Sequence, residues 1–198
     1  MLHLGNGASA SAIAGGRSID TSMGMTPLEG LVMGTRSGDL DPAVLLYLQR
    51  NAGMTVDQVD ELLNRRSGLL GLSGHGDMRG VVEAAEGGDA AARLAFDVYV
   101  HRLRHYIGAY LALLGGADAL VFTAGVGENS AEVRAAALDG LGPLGLELDA
   151  AANQRPGRGS RRISPAGAGI EVLVIPTDEE FQIARETASV LAVKDLRP

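Results

Sequence analysis

Two glycine-rich loops hold the residues best suited to chemistry. The first is His3-Leu4-Gly5-Asn6-Gly7-Ala8-Ser9, with two glycines one residue apart after a short apolar start. Glycine lets backbone N–H groups come close to an anion and reach positive φ, which is how a loop cradles a phosphate. The second follows the apolar run Ala119-Leu120-Val121-Phe122-Thr123 as Gly125-Val126-Gly127-Glu128-Asn129 and leads into a helix from about Ser130 to Leu138. A strand, a glycine turn and a helix N-terminus together form an anion site, because unpaired N–H groups and the helix dipole point the same way. A lone Gly-x-Gly is more often an ordinary turn, so neither loop by itself names a ligand. His101 and His105 are four residues apart, a metal-ligand spacing, yet Arg102 and Arg104 flank them and no acidic third ligand is evident. They read as a helix face. The arginines of residues 155–169 can meet phosphate, but the surrounding Gly, Ser and Pro mark a solvated surface connection.

These residues need a scaffold, and composition bounds it. The chain has 198 residues, 46% of them hydrophobic, enough for a sizeable core in one large or two small domains. Twenty-four acidic against 17 basic residues give a net charge of -7, which argues against binding along a nucleic acid backbone and leaves only local basic sites. Zero cysteines exclude disulfides and thiolate metal sites. No segment reads as a signal peptide or an apolar membrane span, so a cytoplasmic location is expected.

The strand that carries the first loop is at most Met1 to Leu4, short against the usual five or six residues, and reads as truncated. Ser9–Ala14 and Arg17–Asp20, joined by Gly15-Gly16, predict a hairpin behind it. Thr21–Leu40 carries five glycines and prolines at Gly24, Pro27, Gly30, Gly34 and Gly38, and an irregular stretch of that length inside a compact protein is usually functional. Helices follow: one capped by Asp41 and stopped at Asn51-Ala52-Gly53, one capped by Thr55, a short one capped by Asp77, and a long core helix from about Asp89 to Leu114 whose tyrosines read as packing. After the strand at Ala119–Thr123 come a second buried strand, Ile170–Ile175, a turn at Pro176-Thr177-Asp178 and a last helix from Glu179 to about Val190. A hairpin followed by mixed helices and strands gives an α/β architecture.

Taken together, His3-Leu4-Gly5-Asn6-Gly7, the run Asp20-Thr21-Ser22-Met23-Gly24-Met25-Thr26-Pro27-Leu28-Glu29-Gly30 continued by Met33-Gly34-Thr35-Arg36-Ser37-Gly38-Asp39, Asp77-Met78-Arg79, Phe122 to Ser130, and Pro176-Thr177-Asp178-Glu179-Glu180 resemble the acetate kinase family in order and spacing. The resemblance spans essentially the whole chain and covers the C-terminal half of that enzyme. It implies an actin-like ATPase (ribonuclease H-like) fold, a mixed sheet flanked by helices, with this chain as the second domain of a two-domain kinase. The implied reaction is reversible phosphoryl transfer from ATP to acetate or another short carboxylate, giving acetyl phosphate and ADP. The implied partners are a second copy in a homodimer and a separate N-terminal half, without which the chain is expected to be inactive.

By the same resemblance His3, Leu4, Gly5, Asn6 and Gly7 lie on the nucleotide's phosphates, Asp77, Met78 and Arg79 lie near its adenosine, and Gly125, Val126, Gly127, Glu128 and Asn129 form a further nucleotide-binding turn. Arg36 would stabilise the transferring phosphoryl group, and Glu179 would hold Mg²⁺. Two departures are visible: Gly80 stands where the family often has Asp, and Ala124 where it commonly has Gly. The chemistry suits these roles, since acetate is ionised at pH 7 and needs positive charge rather than a base to approach an anionic phosphate. Out of context, Arg36 would pair Asp39 or Asp41, and Glu179 would favour a helix N-terminus. Two alternatives are a non-enzymatic remnant that binds nucleotide or dimerises, and a dinucleotide-binding domain with Glu147 as ribose ligand, although Ser130 then fills the third glycine position. A terminal helix that leans on an absent first domain would leave Phe181, Ile183, Ala184, Val190 and Leu191 as an exposed apolar patch.

Overall fold

A computed structural model describes residues 1–157 and 159–194, with side chains described as far as residue 191. Arg158, within the arginine-rich connection, and residues 195–198 lie outside the described residues. Strands β1 (Leu2–Leu4), β2 (Ala8–Ala14) and β3 (Arg17–Thr21) are followed by helices α1 (Ala43–Asn51), α2 (Val56–Arg65), α3 (Gly68–Ser73), α4 (Met78–Glu86) and α5 (Ala90–Leu114). Then come β4 (Ala119–Thr123), α6 (Ala124–Asn129), α7 (Ala131–Leu138), α8 (Ala150–Gln154), β5 (Arg161–Arg162), β6 (Glu171–Val174) and α9 (Glu179–Lys194). One six-stranded sheet runs in the order β3-β2-β1-β4-β6-β5.

The sheet is mixed. β1, β2 and β3 form an antiparallel meander, whereas β1, β4 and β6 run parallel, with His3 opposite Thr123 and Phe122 opposite Val174. The C-terminal ends of these three parallel strands therefore reach the same edge, which is where ligands sit in open α/β sheets. The antiparallel meander is foreign to a doubly wound dinucleotide fold, and the glycine turn after β4 is itself the helix α6, so the dinucleotide alternative falls. β1 has only three residues, yet it is paired on both sides, and Leu2 and Leu4 are buried at 2% and 0% exposure. A short strand holds the loop because it is central in the sheet, not because it is long.

α5 packs across β2. It starts at Asp89, whose carboxylate accepts from Ala91 N and Ala92 N, and ends at Gly115 in the left-handed region. Its buried residues Ala92, Ala95, Phe96, Tyr99, Val100, Leu103 and Ile107 recur at three- and four-residue spacing. The facing strand offers alanines at Ala8, Ala10 and Ala12, all on one face at period two, and their small size lets the helix approach the sheet. α2 opens with a capping box between Thr55 and Gln58. At α1, Pro42 takes the N-cap position while Asp41 still accepts from Ala43 N at 2.9 Å, so the expected capping group acts one residue further out.

The connection at 155–169 departs from a solvated loop. Arg161 and Arg162 form β5 against β6, Ile163 and Ser164 are buried, and Ser164 Oγ accepts from Val172 N. Among the described residues, no helix is long and apolar enough to cross a membrane.

Candidate functional site

The first glycine loop is the turn between β1 and β2. Leu4 pairs with Ala8, and Gly5 N donates to Gly7 O at 3.0 Å, which folds Gly5-Asn6-Gly7 tightly. Gly5 and Gly7 are not among the glycines at positive φ, so the expected conformational reason is corrected. Close approach is the reason instead. A Cβ on Gly5 would lie 3.2 Å from Gly7 O, and one on Gly7 would lie 3.3 Å from an Arg36 guanidinium nitrogen.

Arg36 therefore stands against the loop, and neither rival partner holds it. Its Nη1 donates to Pro27 O at 3.3 Å, Asp41 caps α1, and Asp39 pairs with Arg102 at 3.5 Å. The irregular stretch that carries Arg36 is fastened by backbone bonds: Gly34 N to Asn6 O, Ser37 N to Leu63 O, Ser67 N to Thr35 O and Leu69 N to Met33 O. Leu31 and Met33 anchor it in the core. Gly34 is obligatory there, since a Cβ would meet Asn6 Oδ1 at 2.1 Å and Gly76 O at 2.4 Å.

Segments far apart in sequence meet around one small cavity of about 80 Å³, bounded by Gly5, Asn6, Gly34, Asp77, Met78 and Val126. Asp77 caps α4 by accepting from Gly80 N at 2.9 Å, and its neighbour Met78 belongs to the core while Arg79 is exposed. Tyr99 of α5 also lines this cavity, and its buried hydroxyl has no hydrogen-bond partner among the described residues. Burial pushes its phenol well above the usual range.

The second glycine segment divides its labour. Gly125 is exposed with open space beside it, and Asn129 Nδ2 donates to Gly125 O at 2.8 Å. Glu128 instead accepts from Thr177 N at 3.0 Å, tying α6 to the β6–α9 connection. Gly127 packs against Phe122 and Leu4. Glu179, at the start of α9, is exposed and sits 3.7 Å from His3 Nε2, so the strand before the first loop and the candidate metal carboxylate adjoin. Among the described residues no group of three or more His, Cys, Asp or Glu side chains converges as a metal cage.

Residues outside the predicted set complete the site. Arg134 of α7 is buried and donates to Gly127 O and Glu128 O, each at 2.9 Å, and to Asn153 Oδ1 at 2.7 Å, so it clamps the end of α6 to α8. Burial, with the nearby charge of Arg161, pulls its guanidinium down to about 10. The available signal was an arginine set within the apolar run Val133, Ala135, Ala136, Ala137 and Leu138. Nor do the α5 tyrosines only pack: Tyr106 donates to Asp39 at 2.7 Å and Tyr110 to Asp20 at 3.4 Å. His101 and His105 lie on the exposed face of α5.

The model of the acetokinase family matches residues 1–185. The chain belongs to the acetokinase family. An acetate kinase of Leifsonia xyli subsp. xyli is 66% identical over 192 residues, 97% of this chain and 48% of that protein. The crystal structure of Porphyromonas gingivalis acetate kinase superposes with a TM-score of 0.91 at 43% identity, over 96% of this chain and 48% of that one. That of a propionate kinase from Francisella tularensis gives 0.87 at 44% identity, over 93% and 47%. The chain spans about half the length of the relatives it matches.

These matches correct the expectations about scope. The acetokinase likeness and fold run over nearly the whole chain, from a first strand that is formed and paired on both sides. The expectations of a C-terminal half only, of a subordinate second domain, of an incomplete enzyme inactive alone and of a non-enzymatic remnant give way to what the matches show, an acetokinase likeness along 97% of this chain that spans 48% of the relative's length.

Proposed function

We propose that this chain serves the acetate kinase reaction, reversible transfer of the γ-phosphoryl group of ATP to acetate to give acetyl phosphate and ADP. The observation that carries the proposal is the approach of the Arg36 guanidinium to the Gly5-Asn6-Gly7 loop, with Asn6 bonded to the same stretch through Gly34. A phosphate resting on that loop would meet planar, bidentate donors where charge builds up during transfer. The carboxylate acceptor is ionised at neutral pH, so charge neutralisation rather than proton abstraction is the demand on the protein. Asp77, Met78 and Val126 border the cavity beside the loop and, with their chain neighbours Arg79 and Gly125, would receive the nucleoside. Glu128 is engaged by Thr177 and would act by holding α6 in place.

Mg²⁺ commonly takes one or two carboxylates together with phosphate oxygens and water. The exposed oxygens of Glu179, next to His3 and hence to the phosphate loop, fit that donor set, and Mg²⁺ there would offset phosphate charge. Acetate is the proposed acceptor, with propionate as a competing short carboxylate, and the family resemblance further implies pairing of two copies, readable by sedimentation velocity.

The test incubates the purified chain with MgATP and acetate and traps acetyl phosphate as its hydroxamate. Product that requires acetate and falls roughly 10³-fold or more in Arg36→Ala supports the proposal. ATP binding without acetate-dependent product, or product indifferent to that substitution, contradicts it.

A further inference from the structure

Asp39 lies at the far end of the irregular stretch from the phosphate loop, yet more interactions converge on it than on any residue of that stretch with a proposed role. Its Oδ1 accepts from Gly30 N at 2.8 Å while its own N donates to Gly30 O at 2.9 Å, a reciprocal pair that closes residues 30–39 into a loop. Its second oxygen accepts from the Tyr106 hydroxyl at 2.7 Å and faces Arg102 Nη1 at 3.5 Å, both on α5. Residues 102 and 106 are one helical turn apart, so the two groups reach one carboxylate from a single face of the longest helix. Gly30 and Gly38 make the closure possible. They have φ of +103° and +69°, and a Cβ on either would come within 2.7 Å of backbone at Ser22, Gly30 or Leu31.

Within this closed loop Met33 N donates to Arg36 O at 3.2 Å and Gly34 N to Asn6 O at 2.9 Å. The position of Arg36 against Gly7 therefore depends on the loop keeping its shape. We infer that Asp39, gripped by Tyr106 and Arg102, is a positioning residue that holds Arg36 against the phosphate loop. The inference rests on the proposed role of Arg36 for its consequence in phosphoryl transfer, while the grip itself is independent of that role. Asp39 is hydrogen-bonded to neither the phosphate loop nor Arg36 and acts through the stretch between. The charge-assisted bond from Tyr106 is short, and such bonds are stronger than neutral ones.

The test compares wild type with Asp39→Ala, Asp39→Asn and Tyr106→Phe by amide hydrogen exchange and by titration with MgADP, alone and with aluminium fluoride as a mimic of the phosphoryl group in transfer. Asp39→Ala is expected to raise exchange at residues 33–39 at least tenfold with α2 and α5 unchanged. It should also weaken the aluminium fluoride complex at least tenfold while affinity for MgADP alone moves less than threefold. Tyr106→Phe should show the same pattern at smaller size. Asp39→Asn, which keeps an acceptor for Gly30 N, should recover most of both effects. Unchanged exchange overturns the inference, as does faster exchange with an unaltered aluminium fluoride complex, or an equal loss of both affinities. A wild-type chain that binds no nucleotide contradicts the proposed function instead, and exchange at residues 33–39 then decides the grip by itself.

Discussion

At Ala124 a methyl group sits on a backbone with φ of +63°, the one non-glycine residue at positive φ among the described residues. Left-handed backbone costs an L-residue roughly 1–2 kcal/mol, partly offset here because glycine is more flexible in the unfolded chain. Ala124→Gly should accordingly stabilise the protein by up to about 1 kcal/mol, seen as a rise in thermal midpoint, and a fall would contradict the strain. Gly34 presents the reverse case. Gly34→Ala forces a methyl onto Asn6 Oδ1 and Gly76 O, so a loss of about 1–3 kcal/mol is expected together with weaker ATP binding as Asn6 is displaced. Thermal melts and titration calorimetry check both effects. Phenols supply a pH-dependent readout. Burial and then the charge and hydrogen bond of Asp20 push Tyr110 up to about 12, and burial with the bond to Asp39 raises Tyr106 further. Because the folded phenols hold protons that unfolded ones release, their contribution is intact below about pH 10 and is lost as pH climbs to about 12. Tyrosinate absorbance should lag behind that of the unfolded chain over this range, and coincident curves would contradict it.

Elements were legible where one physical signal dominated. The apolar run at β4, the Gly15-Gly16 hairpin and the periodic face of α5 announce themselves in any window of the sequence, and the structure places each within about two residues. Short elements set by tertiary contact were not legible. α3 begins at Gly68, whose φ of +60° and closeness to Met33 O and Arg36 O suit glycine alone, and composition there reads only as a glycine-rich loop. The sequence of α6 reads as a turn, since two glycines disfavour helix, and Arg134 overrides that preference by holding its terminal carbonyls. β5 is two arginines whose pairing with β6 no local pattern reveals. The site follows the same division: glycines and charges with a common spacing were visible, whereas the grip of Tyr106 on Asp39 joins residues 67 apart. α9 leaves Phe181, Ile183, Val190 and Leu191 each more than half exposed, spread around the helix rather than along one face. The double substitution of Phe181 and Ile183 by Ser should lower the fluorescence of an apolar-surface dye without changing the thermal midpoint appreciably. Undiminished dye fluorescence would contradict that exposure.

At the scale of the whole molecule, three parallel strands end at one edge and deliver three connections there: the Gly5-Asn6-Gly7 turn, α6, and the stretch leading to Glu179. α5, about 37 Å long at 1.5 Å per residue, lies across the sheet and grips the Arg36 stretch from behind. A net charge of -7 makes Arg36, a local cation of this edge, stand out as a group available to a polyphosphate. This edge is the proposed seat of a nucleotide's phosphates. Titration calorimetry of the chain with MgATP, repeated on Gly7→Val, tests it most directly, because a side chain at Gly7 intrudes between the loop and Arg36. Saturable one-to-one binding of ATP in wild type, weakened at least tenfold in Gly7→Val with the fold intact, is the predicted result. Absence of binding in wild type, or equal affinity in both proteins, would contradict it.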